Sequence, residues 1–321
     1  MYIRTVLLLT IVLLLISCSP DRTKDVNEED FQMHDFDKLW NYNEPGETEQ
    51  KFRDVLANTN AQESVEYALE LRTQIARTLG LQQKFEDAHK LLDQVESELK
   101  LEYSIAKIRY MLERGRTLNS SGKKEESIAL FLEAWELGLE VKADFYAVDA
   151  AHMLGIAAQQ DQQLIWNEKA MDLAEKSPDK RAQGWLGSLY NNIGWTYHDL
   201  QEYEKALTVF LKAQEWREAH EQVIETQIAK WCVARTHRSL GHVDKALDMQ
   251  YDLEKEMQTA GQDEDGYVSE EIAECLTLQE KPQEAAPYFM KAWTILSKDI
   301  WLKQNEADRL NRLKTLGEKK F

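Results

Sequence analysis

The sequence predicts an all-α chain: a solenoid of about six helix-turn-helix repeats, with a helical segment before them and a capping helix behind. Three observations carry that prediction. The 13 Gly and 5 Pro are few for 321 residues, which disfavours turn-rich β architectures and suits long helices with short connections. A hydrophobic content of 43%, with nine Trp, is ample for a core. Third, a ladder of small and large residues recurs at a fixed period, the signature of a repeat array.

The ladder is plainest in "YNNIGWTYHDLQEYEKALTVFLKA", residues 190–213. There Gly194 is followed by Tyr197, Tyr203, Ala206, Phe210 and Ala213, which reads as a helix, a turn near "DLQE" and a second helix. The small slot recurs at Ala76, Gly115, Gly155, Gly194, Ala234 and Ala273, in steps of 39, 40, 39, 40 and 39. Twelve residues after it stand Ala88, Ser127, Asn167, Ala206, Ala246 and Ala285. Sixteen after it stand Leu92, Phe131, Met171, Phe210, Gln250 and Phe289, and nineteen after it Val95, Ala134, Ala174, Ala213, Leu253 and Ala292. Small residues fall where two helices must approach closely, so these four slots are expected to be packing positions.

This ladder resembles the tetratricopeptide repeat, most plainly at "NNIGWTYHDLQEYEKALTVFLKA" and "CLTLQEKPQEAAPYFMKA". The resemblance implies a right-handed α-solenoid over residues 63–297. The period of 39–40 residues is longer than the family's 34, as in long-repeat members that include peptide-sensing bacterial regulators, and the proline that often closes each repeat is missing from most copies. Before the array, residues 36–62 with "ETEQKFRDVLANT" are expected to form a leading helical segment. After it, residues 298–321, including "WLKQNEADRLNRLKTLGEK", are expected to supply the polar capping helix that such arrays need for solubility.

The N-terminus has its own logic. Arg4 precedes an 11-residue apolar run from Val6 to Ile16, too short for a membrane span of about 20 residues and suited to a secretory signal peptide over 1–17. "LISC" resembles the bacterial lipobox, which implies cleavage before Cys18, lipidation of its thiol, and, with Ser19 following, the periplasmic face of the outer membrane. Residues 18–35 then read as the lipidated Cys and a charged, aperiodic tether. Cys232 and Cys275 fall within helical patterns and are expected to be buried small residues.

With 57 acidic against 39 basic residues the net charge is −18, which argues against nucleic acid as a partner. The tetratricopeptide resemblance implies that first helices line a concave groove, through slots three before and one, four and five after the small residue. Projected here, those slots give Arg77, Arg116, Asn119, His152, Asn191, Trp195, His198, Trp231, Arg235 and Arg238 as the candidate partner-binding groove. The whole set holds four Arg against three acids (Asp199, Glu270 and Glu274), so the groove is expected to differ in sign from the rest of the protein. Arg forks, Asn amides and Trp faces suit an extended peptide.

No Walker loop, G-x-G-x-x-G, H-E-x-x-H or G-x-S-x-G stands in the sequence, so neither catalysis, a metal nor another cofactor is expected. "DEDG" (263–266) is a fragment of a calcium loop, and "HRSLGH" (237–242) reads as a turn, not a ligand pair. The expectation is a non-enzymatic envelope lipoprotein that holds a protein or peptide partner in its groove as a scaffold or assembly factor. The alternative is a peptide or small-ligand sensor whose solenoid changes shape on binding.

Overall fold

The computed structural model describes residues 34–59 and 65–319. The expected signal peptide, Cys18 and the tether as far as residue 33 lie outside the described residues, as do residues 60–64 within the leading segment. Among the described residues every regular element is helical, and the chain forms two compact units that meet in sequence at Trp185 and Leu186.

Unit 1 opens with a 3₁₀ turn, Asp35–Leu39, and helix α1 (Pro45–Asn58). Three helix pairs follow: α2 (Val65–Leu81) with α3 (Phe85–Glu98), α4 (Ser104–Ser120) with α5 (Lys124–Glu140), and α6 (Asp144–Ala157) with α7 (Gln160–Lys176). The one-turn helix α8 (Lys180–Gln183) closes the unit. Unit 2 repeats the plan with α9 (Leu186–Asp199) and α10 (Tyr203–Ala219), α11 (Val223–Ser239) and α12 (Val243–Thr259), and α13 (Gly266–Leu278) and α14 (Pro282–Leu296). Two short helices, α15 (Ile300–Asn305) and α16 (Ala307–Gly317), end it.

The ladder is the contact between the helices of each pair. All positions of its four recurring slots are buried except Met171, which is half-buried. A Cβ added at Gly115 would sit 2.5 Å from the ring of Phe131, and one at Gly194 would sit 2.5 Å from the ring of Phe210. Glycine in the first helix therefore lets an aromatic ring of the second lie flat on the backbone, which offsets the ~1 kcal/mol helix penalty of Gly. In the third pair Gly155 faces the smaller Asn167 instead, and Met171 is left at the margin.

The turn between the paired helices also repeats. Seven residues after the small slot, Gln83, Gly122, Gln201, Gly241 and Glu280 all take left-handed backbone, with φ of 61°, 87°, 62°, 81° and 60°. At Gln201 the geometry is a Schellman cap: Gln201 N–H donates to the His198 carbonyl and Glu202 N–H to the Tyr197 carbonyl, each at 2.9 Å. The third pair departs from this rule because α7 begins at Gln160, before the equivalent position.

Both flanks differ from expectation. The leading segment is a 3₁₀ turn and one helix, yet it keeps the ladder: Thr48 and Phe52, twelve and sixteen residues after Phe36, are fully buried, and Phe36 lies 40 residues before Ala76. Phe36 fills the slot where other repeats hold Gly or Ala, and its ring meets Phe52 edge-on at 6.2 Å. A short 3₁₀ turn stands where a first helix would. His34, expected in the tether, already bonds Glu70 at 3.1 Å. At the other end the single expected capping helix is broken at Glu306, whose φ of −128° is not helical. Asp299 caps α15 by accepting from Trp301 N–H (2.7 Å) and Leu302 N–H (3.1 Å), and α16 packs Leu310 and Leu313 into the core beside α14.

Two glycines give opposite predictions. Gly194→Ala drives a methyl into the immobile Phe210 ring and is expected to destabilise the protein by about 1–3 kcal/mol. A Cβ at Gly80, also within a helix, meets only Thr117 Oγ1 at 3.8 Å, so Gly80→Ala is expected to gain up to about 1 kcal/mol. Denaturant titration of both variants checks the pair, and loss of stability at both would contradict the close-approach account.

Candidate partner-binding faces

The first helices of each unit present one stripe of side chains, and on it the candidate arginines are already paired. In unit 1, Glu113 of α4 accepts from Arg77 of α2 at 3.3 Å and from Arg116 of its own helix at 2.8 Å. Arg116 continues the chain to Asp149 of α6. Asn119 lies one turn beyond Arg116, half-buried and outside the ion-pair chain. A parallel chain joins Arg109 to Glu70 at 3.0 Å, to the Tyr146 hydroxyl at 2.9 Å and, through both terminal nitrogens, to Asp37 at 3.0 and 2.6 Å.

Unit 2 repeats the device. Glu271 of α13 takes Arg238 of α11 through two nitrogens at 2.7 and 2.9 Å, and Arg235 at 3.0 Å. Arg309 and Arg312 of α16 reach back to Glu270 and Glu274 of α13, so the capping helix is tied to the last pair by charge.

The expected difference in sign is therefore offset within the face itself, because each of these arginines already pairs with a carboxylate. The acids stand two and six residues before the small slot (Glu113, Glu271, Glu70, Asp149), positions that share the inner stripe with the slot one after it because steps of four and three stay on one helix face. Breaking such a pair from one side leaves an uncompensated, largely buried charge, at about 3–5 kcal/mol. These arginines hold the face in shape before they hold any ligand.

The aromatic residues of unit 2 form a diagonal across three successive first helices. Trp195 of α9 lies 5.8 Å from Trp231 of α11, which lies 6.1 Å from Tyr267 of α13. Trp195 also rests edge-on against Phe210 at 5.3 Å and His198 at 5.1 Å. The indole nitrogen of Trp231 is buried without a hydrogen-bond partner. His198 Nε2 meets Ser239 Oγ at 2.9 Å, the same hydroxyl that accepts from Arg235 at 3.0 Å, and Asn191 accepts from the Cys232 thiol at 3.7 Å. Asn191, Trp195, His198, Trp231, Arg235 and Arg238 are thus brought together on one half-buried face. Tyr267 belongs with them; it lies six before its small slot, outside the slots projected from the resemblance.

Burial sets the protonation of this surface. His198 is lowered to about 4 by burial and by the nearby Arg235 and Arg238. In unit 1 His152, its Nδ1 buried without a partner and its ring 5.2 Å from Trp185, is lowered to about 4 by burial, with Arg116 adding and Asp149 opposing. Cys232 and Cys275 are both free and buried, and burial pushes each thiol up to about 12, so neither is a thiolate nucleophile near neutrality. Among the described residues no three His, Cys, Asp or Glu gather as a metal site, and no helix is long and apolar enough to cross a membrane. "DEDG" serves as a connection whose Asp265 caps α13, and "HRSLGH" turns at Gly241. Trp135 packs on Trp166 at 5.9 Å and Trp293 lies under Lys314, as repeat packing.

Residues 187–220, which hold α9 and α10, match the tetratricopeptide repeat family. No curated protein matches the chain. Among solved structures, the fold is similar to the apo form of RapI, with a TM-score of 0.65 and 14% identity over 83% of this chain and 76% of that one. It is similar to the apo form of the quorum sensor NprR from B. thuringiensis, with a TM-score of 0.59 and 14% identity over 88% and 79%. It also matches a signal-transduction ATPase with numerous domains and a tetratricopeptide repeat sensor from Pyrococcus horikoshii, with a TM-score of 0.65 and 14% identity over 83% of this chain. The match spans 42% of that protein, less than half its length. The chain folds as a helical repeat similar to these proteins, and residues 187–220 within it match the tetratricopeptide repeat.

His152 and His198, both lowered to about 4, give a pH dependence of known sign. Free imidazole titrates near 6.5, so between about 6.5 and 4 the unfolded chain binds protons that the folded chain refuses. Stability is full above that window and is lost as pH falls through it, by about 1–2 kcal/mol per histidine between pH 7.5 and 5. Denaturation at the two pH values is expected to show that loss in the wild type and a smaller one in His152→Phe and His198→Gln; unchanged slopes in both variants would contradict the assignment.

Proposed function

We propose that the chain is a non-enzymatic binding protein whose unit 2 face takes a protein or peptide partner, as a scaffold or assembly factor. One observation carries the reading: a single carboxylate, Glu271, is shared by two guanidiniums, Arg235 and Arg238, beside the diagonal of Trp195, Trp231 and Tyr267. Glu270 and Glu274 of the same helix are engaged by Arg309 and Arg312, so three carboxylates face four guanidiniums and a partner carboxylate is attracted there, while half-exposed rings offer apolar area at small entropic cost.

The proposed setting is the bacterial envelope, with Cys18 lipidated and the protein held at the periplasmic face of the outer membrane. The lipobox-like "LISC" supports it. The alternative is a peptide or small-ligand sensor that changes conformation on binding. Likeness of fold to the quorum sensor NprR favours that reading, at the level of fold alone.

Crosslinking followed by purification from membrane fractions tests the proposal, comparing the wild type with Trp195→Ala plus Arg235→Gln. Arg238 still holds Glu271 through two bonds in that variant, so the fold is expected to persist. The expected outcome is a protein recovered by the wild type and lost from the variant, with Cys18→Ser moving the chain to the soluble fraction. Equal recovery by both would remove the unit 2 face as the site, and an unidentified small ligand in place of a protein would favour the sensor.

A further inference from the structure

The inner face of unit 1 is already occupied. Residues 34–42, "HDFDKLWNY", lie across it. Phe36 is fully buried and its ring stands 5.4 Å from the Arg109 guanidinium, while Asp37 bonds that guanidinium through both carboxylate oxygens. The indole nitrogen of Trp40 donates to Gln74 Oε1 at 3.2 Å. Trp40 and Tyr42 stack at 4.6 Å with an interplanar angle of 6°, and the Arg77 guanidinium lies 5.6 and 5.3 Å from their ring centres.

Two features distinguish this segment from a first helix of the array. Asp37 passes over α2 to reach Arg109 on α4, whereas ion pairs between neighbouring first helices, such as Arg77 with Glu113, join side chains about one repeat apart. Its backbone has only a 3₁₀ turn of five residues, and the contacts to α2 and α4 described above are made by side chains.

The groove beneath it is self-sufficient. With the segment lifted away, Arg109 keeps Glu70 at 3.0 Å, Arg77 keeps Glu113 at 3.3 Å and Arg116 keeps Glu113 at 2.8 Å. No guanidinium in the groove loses its last carboxylate. The open face therefore avoids the penalty of a stranded buried charge, and lifting the segment sacrifices the Asp37–Arg109 bidentate pair, the hydrogen bonds of His34 with Glu70, Trp40 with Gln74 and Asn41 with Thr48, and ring contacts that include those of Phe36 and Trp40 with Phe52 of α1.

We infer that the inner face of unit 1 is a recognition groove for a linear acidic-aromatic peptide of pattern Phe-Asp-x-x-Trp, held closed in cis by the chain's own Phe36, Asp37 and Trp40. A partner segment with a buried ring, a carboxylate on Arg109 and an indole N–H on Gln74 competes for the same contacts. This surface is independent of the unit 2 face proposed above.

The test uses the full chain and a fluorescent peptide of residues 34–42, with binding read as anisotropy. Tethering reduces the fraction of open groove, so the wild type is expected to bind the peptide at least about tenfold more weakly than a Phe36→Ala, Asp37→Asn, Trp40→Ala variant. A peptide carrying the same three changes is expected to bind neither. Equal binding by wild type and variant, or no binding by a variant that circular dichroism shows to be folded, would overturn the inference. Should the variant not fold, a protease site between Asn43 and Glu44 in the otherwise native chain replaces it. After cutting, the released segment is expected to exchange with labelled peptide; retention without exchange, or loss without uptake of the peptide, would overturn it.

Discussion

Close approach of two helices at one small residue sets the geometry of each repeat. Where Gly115 and Gly194 stand, the rings of Phe131 and Phe210 occupy the volume that a Cβ would need. That contact fixes the crossing of first and second helix, and the left-handed residue seven positions later closes the turn between them. Once both are set, the remaining faces of the first helices are determined: the inner stripe runs through the residue one after the small slot, roughly a quarter turn round the helix from the ladder, and residues on it meet their neighbours one repeat on. Arg77 meets Glu113 and Arg238 meets Glu271 by that regularity.

The charge arrangement follows from it. Arg77, Arg116, Arg235 and Arg238, one or four after the small slot, meet Glu113, Asp149 and Glu271, two or six before it, and Arg109, six before its own slot, meets Glu70, so guanidinium and carboxylate are interleaved between successive helices. Such pairing adds little net stability over apolar packing, yet it preorganises the face, because long cationic side chains are immobilised before a partner arrives. The same pairing makes each inner face less positive than a count of its arginines suggests. The residual attraction for an anion is local, at Arg235 and Arg238 where they share Glu271, whereas Arg77 and Arg116 have both Glu113 and Asp149.

The repeat itself was legible because packing at a helix crossing tolerates few residue types, so Gly or Ala at the first slot and a large residue sixteen later survive as a pattern. The positions of Trp195, Trp231, Arg235 and Arg238 on one face followed from that register. What stayed hidden had a physical cause in each case. Phe36 stands in place of the small residue and a 3₁₀ turn in place of the first helix, so the leading repeat lost its marker although Thr48 and Phe52 kept theirs. Glu113 and Glu271 look like ordinary solvated acids in a chain with 57 of them, and only their side-chain burial, with 3% and 6% exposed, shows that they hold the arginines. The break at Glu306 depends on the Asp299 cap and on where Leu310 and Leu313 find a core, which is tertiary information.

The account's central claim is that the inner stripe, and not the outer second helices, is the working surface. A photoreactive amino acid placed at residue 195 on α9, and separately at residue 211 on α10, where Leu211 is 48% exposed, tests it in the native cell. The account predicts a crosslinked partner from residue 195 and none from residue 211; capture from residue 211 with nothing from residue 195 would contradict it.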